Sequence, residues 1–212
     1  MLERHDPSDP DADSVREVIV LDLRHRLKNV YAMVGGVLAL SARAQPEMQP
    51  FVEELRDRIA ALEAAHAYLA DGPAATEAER TVLGLLRVLV APFNSVGGET
   101  IAVAGRDAAL TERRGVILAL IVRELATNSV KHGALSTEGG RVVIACSKDR
   151  GRYAIHWREA GGPQIARPPK ADGSGLRLVD RAAALAGFAI TREWRAHGLE
   201  AVIVIPIERL AR

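Results

Sequence analysis

The chain lacks the marks of several large protein classes. Its 212 residues include one cysteine, Cys146, which excludes an intramolecular disulfide and leaves no cysteine cluster for zinc. Neither charge sign dominates: 28 basic against 27 acidic residues leave a formal net charge of +1, so no summed field favours a nucleic acid or an anionic membrane. No apolar run approaches the roughly 20 residues that cross a bilayer. The acidic, proline-containing start MLERHDPSDPDADS is unlike a signal peptide. These absences predict a cytoplasmic protein with neither nucleic acid nor membrane as partner.

What is present is enough for a packed core, since 48% of the residues are apolar. Residues 1–14 carry almost no large apolar side chains and read as a flexible tail. From there Val20, Leu23, Leu27, Val30, Val34 and Val37 alternate at three and four residues, the seam of a coiled-coil-like helix. After a break at 41–50 with two prolines, Val52, Leu55, Ile59, Leu62, His66 and Leu69 repeat the pattern. Residues 15–71 thus predict a helical hairpin. A hairpin cannot bury both seams alone, so pairing of two copies into a four-helix bundle, a homodimer, is expected. His66 lies on the second seam and reads as an interfacial core residue.

The stretch 72–80, GPAATEAER, mixes helix breakers with small and charged residues and reads as a linker. Beyond it, 81–212 predicts a second domain. Helices are expected near 82–95, 111–132 and 176–186, and strands near 101–104, 142–147, 153–157, 188–194 and 199–206. This order argues for an α+β fold with helices on one face of a mixed sheet. Cys146 reads as strand core.

Three segments carry chemistry. On the first helix His25 lies two positions past the seam residue Leu23, about 200° around the helix from it, and so faces solvent on a rigid rod. Arg24, Arg26 and Lys28 surround it with cations that attract a triphosphate. Asp22, three residues before, shares its face and is expected to orient the imidazole. On the long helix Glu124, Asn128 and Lys131 fall at i, i+4 and i+7, one stripe with a carboxylate, an amide and an ammonium. Oxygen ligands suit Mg²⁺, which usually takes one or two protein groups, so Asn128 with Glu124 nearby is the candidate metal site and Lys131 a phosphate contact. Downstream, Gly161 and Gly162 mark a close backbone approach. Glu159 offers a carboxylate to the exocyclic amine of adenine. Gly173 and Gly175, leading into Leu176, present N–H groups at a helix start to phosphate oxygens.

HRLKN, ELATNSVKHGALS, WREAGG and GSGL, in this order, resemble the HWE family of bacterial sensor histidine kinases, of the HRxKN type. The resemblance spans residues 21–206. It implies a dimerisation and phosphotransfer hairpin followed by a GHKL-type α/β two-layer sandwich that binds ATP. It further implies that His25 is the phosphoacceptor, Asn128 the magnesium ligand and Glu124 its acidic companion, with Lys131 and His132 on the phosphate side. Glu159 stands for the adenine-binding acid, and Gly161, Gly162, Gly173 and Gly175 match the loop glycines. Trp157 and Glu159 match the W and E of the family name, whereas Arg123 occupies the position of its histidine. Residues 164–172 form a short lid with Pro168 and Pro169.

The implied reaction is autophosphorylation of His25 from Mg-ATP, then transfer to an aspartate of a response-regulator receiver. Many histidine kinases place an acid directly after the histidine; here Arg26 stands there, and Asp22 or Glu124 must serve. No PAS, LOV or other sensory domain precedes His25, so a separate sensor protein is expected to supply the signal unless the chain is part of a longer one. Two other readings stay open: a histidine phosphotransferase that relays phosphate without ATP, and a GHKL ATP-binding regulator.

Overall fold

The first apolar seam folds as one helix, α1, over Pro10–Ala44. The structure, a computed structural model, describes residues 10–71, 80–94, 100–165 and 174–210. The helix begins before the expected end of the tail at residue 14. Pro10 stands at its first position, where a preset φ suits the helix and a missing N–H is no loss. Residues 1–9 lie outside the described set. At the far end Gln45 leaves the helical region at φ −136° and ψ 85°, as a residue preceding proline is driven to do. One 3-10 turn, Pro46–Met48, then leads into α2, Gln49–Asp71.

The chain divides into two units, Met1–Ile59 and Ala60–Arg212. In the first, the seam of α1 stands open: Val30, Val34 and Val37 are exposed, as are Met33 and Leu40 beside them.

The division falls inside α2, ahead of the linker read at 72–80. Ala61, Ala65 and Leu69, one helical face at four-residue spacing, are buried in the core of the second unit. Two glycines make room for that helix: a Cβ on Gly84 would run into the Tyr68 phenol, and one on Gly115 into Leu69. His66, read as an interfacial core residue, is half-buried and bonds through Nδ1 to Glu112 Oε1 at 2.8 Å. Residues 72–79 of the linker lie outside the described set.

The second unit is α+β. Helix α3, Val82–Val90, is capped by Thr81, whose Oγ1 accepts from the Gly84 N–H at 3.2 Å. Then come β1 (Ile101–Gly105), α4 (Glu112–His132), β2 (Arg141–Asp149) and β3 (Arg152–Ala160). They are followed by α5 (Ser174–Ala186), β4 (Ala189–Arg195) and β5 (Gly198–Pro206). The five strands form one sheet in the order β1-β2-β3-β5-β4. The helix between β1 and β2 carries the chain back, so that pair is parallel, and the other pairs are antiparallel. β2 and β3 are joined by Arg150 and Gly151 at φ +44° and +73°, the positive-φ hairpin turn that matches strand twist.

Burial alternates along the central strands. Tyr153, Ile155 and Trp157 of β3 and Leu199, Ala201, Ile203 and Ile205 of β5 lie in the core with α3, α4 and α5. Their neighbours in sequence are less buried, as expected of a sheet covered on one face. This is the expected α/β two-layer sandwich. Cys146 lies in the core, and burial pushes its thiol pKa up. Burial likewise raises the pKa of the Tyr153 phenol, whose hydroxyl donates to the Arg106 carbonyl at 2.7 Å. Among the described residues no helix is long and apolar enough to cross a membrane.

Candidate phosphoacceptor and nucleotide-binding residues

His25 is exposed on α1, and its ring makes no hydrogen bond or ion pair among the described residues. Asp22 does not orient it. The Asp22 carboxylate accepts instead from Arg26 Nε at 2.8 Å, one turn on. A guanidinium at i+4 is the better partner, because the bond is charge-assisted and the spacing direct. Both side chains are exposed, so the pair contributes only a few tenths of a kcal/mol (~0.3–0.5) and yields readily. Lys28 and Asn29 are also exposed.

On α4 the predicted stripe runs from inside to outside. Glu124 is 5% exposed, Asn128 half-buried, and Lys131 and His132 exposed in the last turn. The Asn128 side chain makes no hydrogen bond among the described residues, and its amide is half-exposed, open to a ligand. The Glu124 carboxylate packs against Gly175 in the first turn of α5, where a Cβ would collide with its Oε2. The carboxylate is thereby held at the positive end of a helix. Gly175 is a glycine because this acid approaches it, a reason other than the predicted approach of phosphate. Leu176 is half-buried beside it, whereas Gly173 and most of the lid, 166–172, lie outside the described residues.

For a magnesium ion the fit is a sparse one. Among the described residues no three His, Cys, Asp or Glu side chains converge. Magnesium keeps waters and phosphate oxygens and asks the protein for one or two groups. The free Asn128 oxygen meets that demand; Glu124 is turned into the start of α5.

The glycines Gly161 and Gly162 serve a neighbour within the chain. Gly161 takes φ +80°, and a Cβ on Gly162 would lie 2.7 Å from Ala134 Cα. The close backbone approach read from the sequence is therefore to the segment that follows α4, whose Thr137 Oγ1 donates to the Gly161 carbonyl at 2.7 Å. Glu159 has partners within the chain as well. It is 2% exposed; Oε1 accepts from the Trp157 indole at 3.1 Å and Oε2 from the Ala134 N–H at 3.0 Å. Both carboxylate oxygens are thus engaged within the fold, one with the indole and one with the backbone.

Sequence reasoning missed Ala134 and Thr137, which tie the segment after α4 to Glu159 and Gly161, and Ser129, whose Oγ accepts from the Leu135 N–H at 3.3 Å. Nothing in a motif marks a backbone N–H as a partner. The Trp157–Glu159 bond did have a signal, because residues two apart on a strand share a face. Arg123, at the position of the family histidine, lies with its guanidinium 4.9 Å from the centre of the Phe93 ring.

Comparison with known proteins agrees with this architecture. A family model described as "HWE histidine kinase" matches residues 22–107. "Blue-light-activated histidine kinase 1" of Erythrobacter litoralis is 32% identical over 196 residues, covering 90% of this chain and 53% of that protein. The "Blue-light-activated histidine kinase" of Brucella anthropi is 33% identical over 174 residues, covering 79% of this chain and 34% of that protein. The chain thus spans about half the length of one relative and about a third of the other. The solved histidine kinase domain of the Erythrobacter litoralis EL346 protein superposes with a TM-score of 0.59 at 20% identity, over 95% of this chain and 97% of that one. In fold, motif order and sequence the chain is similar to the core of histidine kinases. Within that class the chain is similar to the HWE histidine kinase family, whose model matches its residues 22–107.

Proposed function

We propose that the chain is an ATP-dependent protein histidine kinase. It phosphorylates His25 and passes the phosphoryl group to an aspartate on the receiver domain of a response regulator. The observation that carries this reading is the state of Asn128, an amide with no hydrogen-bond partner among the described residues, one turn beyond a buried carboxylate and one turn before an exposed ammonium. An amide, a carboxylate and an ammonium on one stripe of a helix are the groups that a magnesium-bound polyphosphate needs.

In the reaction proposed, the unprotonated ring nitrogen of His25 attacks the γ-phosphorus in line. The N–P bond forms as the P–O bond to ADP breaks, and the ring loses its other proton to water. Lys131 and His132 hold phosphate oxygens by charge. The Asn128 oxygen would hold a magnesium ion, which would supply charge neutralisation at the phosphates. The exposure of His25 on a helix suits both steps, because first a nucleotide and then a receiver must reach the same imidazole.

The exposed valines of α1 support a homodimer in which a second copy covers the seam. We expect a dimer in light scattering, converted to monomer by Leu27→Glu with Val30→Glu; a monomeric wild type overturns the bundle. We place the protein in the cytoplasm, taking its signal from a sensor that is either a separate protein or part of the same longer chain.

The test is incubation with γ-labelled ATP and Mg²⁺. Label that is acid-labile, base-stable and lost in His25→Gln is expected. A folded protein that binds ATP but takes no label would move the reading to phosphotransfer from a partner.

A further inference from the structure

The family's Trp and Glu sit together on β3, yet neither reaches solvent: both are 2% exposed. Glu159 is a carboxylate with no cation paired to it among the described residues. Burying such a charge is unfavourable unless strong donors replace its water. Two do so, the Trp157 indole on Oε1 and the Ala134 N–H on Oε2. The surroundings are shaped to this one group: a Cβ on Gly133 would run into Oε2, and one on Gly198 would lie 2.7 Å from the Glu159 carbonyl oxygen.

What the carboxylate holds is the end of α4. The Gly133 N–H closes the last turn by donating to the Asn128 and Ser129 carbonyls, at 3.1 and 3.0 Å. The next N–H in the chain, that of Ala134, is the one Glu159 takes. Asn128, Lys131 and His132 ride on that turn. We infer that the Trp157–Glu159 pair is a positioning device that fixes the C-terminal turn of α4, and through it Asn128 and Lys131, for nucleotide binding without itself touching the nucleotide. The inference rests on the nucleotide-binding reading of α4.

A glutamine at 159 keeps the shape but turns its NH₂ toward one of the two donors, so one bond is lost and that donor repelled. A phenylalanine at 157 removes the indole donor alone. Neither change touches a nucleotide group, so any loss of affinity must pass through α4.

The experiment is calorimetric titration of wild type, Trp157→Phe and Glu159→Gln, well below their melting temperatures. The ligands are ATP and purine riboside triphosphate, which lacks the exocyclic amine, each with Mg²⁺. Expected is a loss of roughly ten- to a hundredfold in Glu159→Gln and about three- to tenfold in Trp157→Phe, each by the same factor for both ligands. In ¹⁵N spectra the Trp157 indole resonance moves in Glu159→Gln and the Ala134 amide exchanges faster, with the Trp194 indole as unmoved reference. Loss confined to ATP in Glu159→Gln, with the Trp157 indole in place, makes Glu159 an adenine contact and overturns the inference. Unchanged affinity in Trp157→Phe overturns it too. If wild type binds neither ligand, the proposed function fails, and an unmoved indole in Glu159→Gln then sinks the tether as well.

Discussion

His25 stands on a helix face that makes no bond to the rest of the described chain. Glu124 and Glu159, by contrast, are buried in the second unit against glycines that leave room for them. One region offers a reactive group and little else; the other is a scaffold in which polar groups are locked by backbone and packing. The contrast fits a phosphoacceptor that must be reached by two different partners and a nucleotide site that must be preorganised. It also states where mutations should act on chemistry alone and where they should act on stability.

The largest effects should come from two substitutions that separate the regions cleanly. His25→Gln is expected to abolish phosphorylation while leaving ATP affinity within about twofold, since its ring has no partner. Asn128→Ala is expected to weaken Mg-ATP binding by roughly a hundredfold with little change in stability, because no internal hydrogen bond is lost. Titration calorimetry and thermal melts on both proteins check this. Unchanged affinity in Asn128→Ala would sink the assignment of α4.

The scaffold side is tested at Gly162. An alanine there places its Cβ 2.7 Å from Ala134 Cα, backbone against backbone, with no flexible side chain to yield. Overpacking of this kind costs about 2–3 kcal/mol, and for a unit of this size a fall in melting temperature of roughly 6–10 °C is expected. A Gly162→Ala protein as stable as wild type would mean that the segment after α4 moves freely, and that the second region is no more locked than the first.

Much of this was legible in the sequence, for reasons that also mark where legibility ended. Short β-rich runs placed β2 near 142–147 and β3 near 153–157, inside Arg141–Asp149 and Arg152–Ala160. The three-four spacing placed both long helices. Periodicity names an apolar face but not what covers it, so Ala61, Ala65 and Leu69 gave no warning that the end of α2 belongs to the second unit. Glycine pairs announced close approach without saying to what: Gly162 meets Ala134 and Gly175 meets Glu124. Asp22 was assigned by proximity to His25, and a guanidinium one turn on outcompeted the imidazole. Sheet order, with β5 between β3 and β4, depends on pairings that no local pattern encodes.

A smaller effect lies in the core at alkaline pH. The Tyr153 and Cys146 pKa values are both raised, mainly by burial. The unfolded chain therefore releases these protons first as pH rises. The stability they contribute is complete below the ordinary thiol and phenol values of 9.0 and 10.0 and is lost above them. Tyr153→Phe should cost about 1 kcal/mol at neutral pH, through the lost bond to the Arg106 carbonyl, and should flatten the alkaline loss. Urea melts at pH 7.5 and pH 10 measure both; parallel pH slopes in the two proteins would refute the account.

The smallest effect probes the open region itself. Gly35 and Gly36 lie within α1, and a Cβ on either meets nothing within 4 Å in the chain. Glycine in a helix interior is about 0.5–1 kcal/mol less favourable than alanine, so on a free surface Gly35→Ala and Gly36→Ala should each stabilise α1 by about that amount. If a second copy lies close at that point, the added methyl groups meet its backbone, and the same substitutions weaken association instead. Denaturant melts of the helical signal at two protein concentrations separate the cases. A gain independent of concentration means that α1 is open at the glycines; a loss that grows on dilution means that the partner comes closest there, about ten residues beyond the phosphoacceptor.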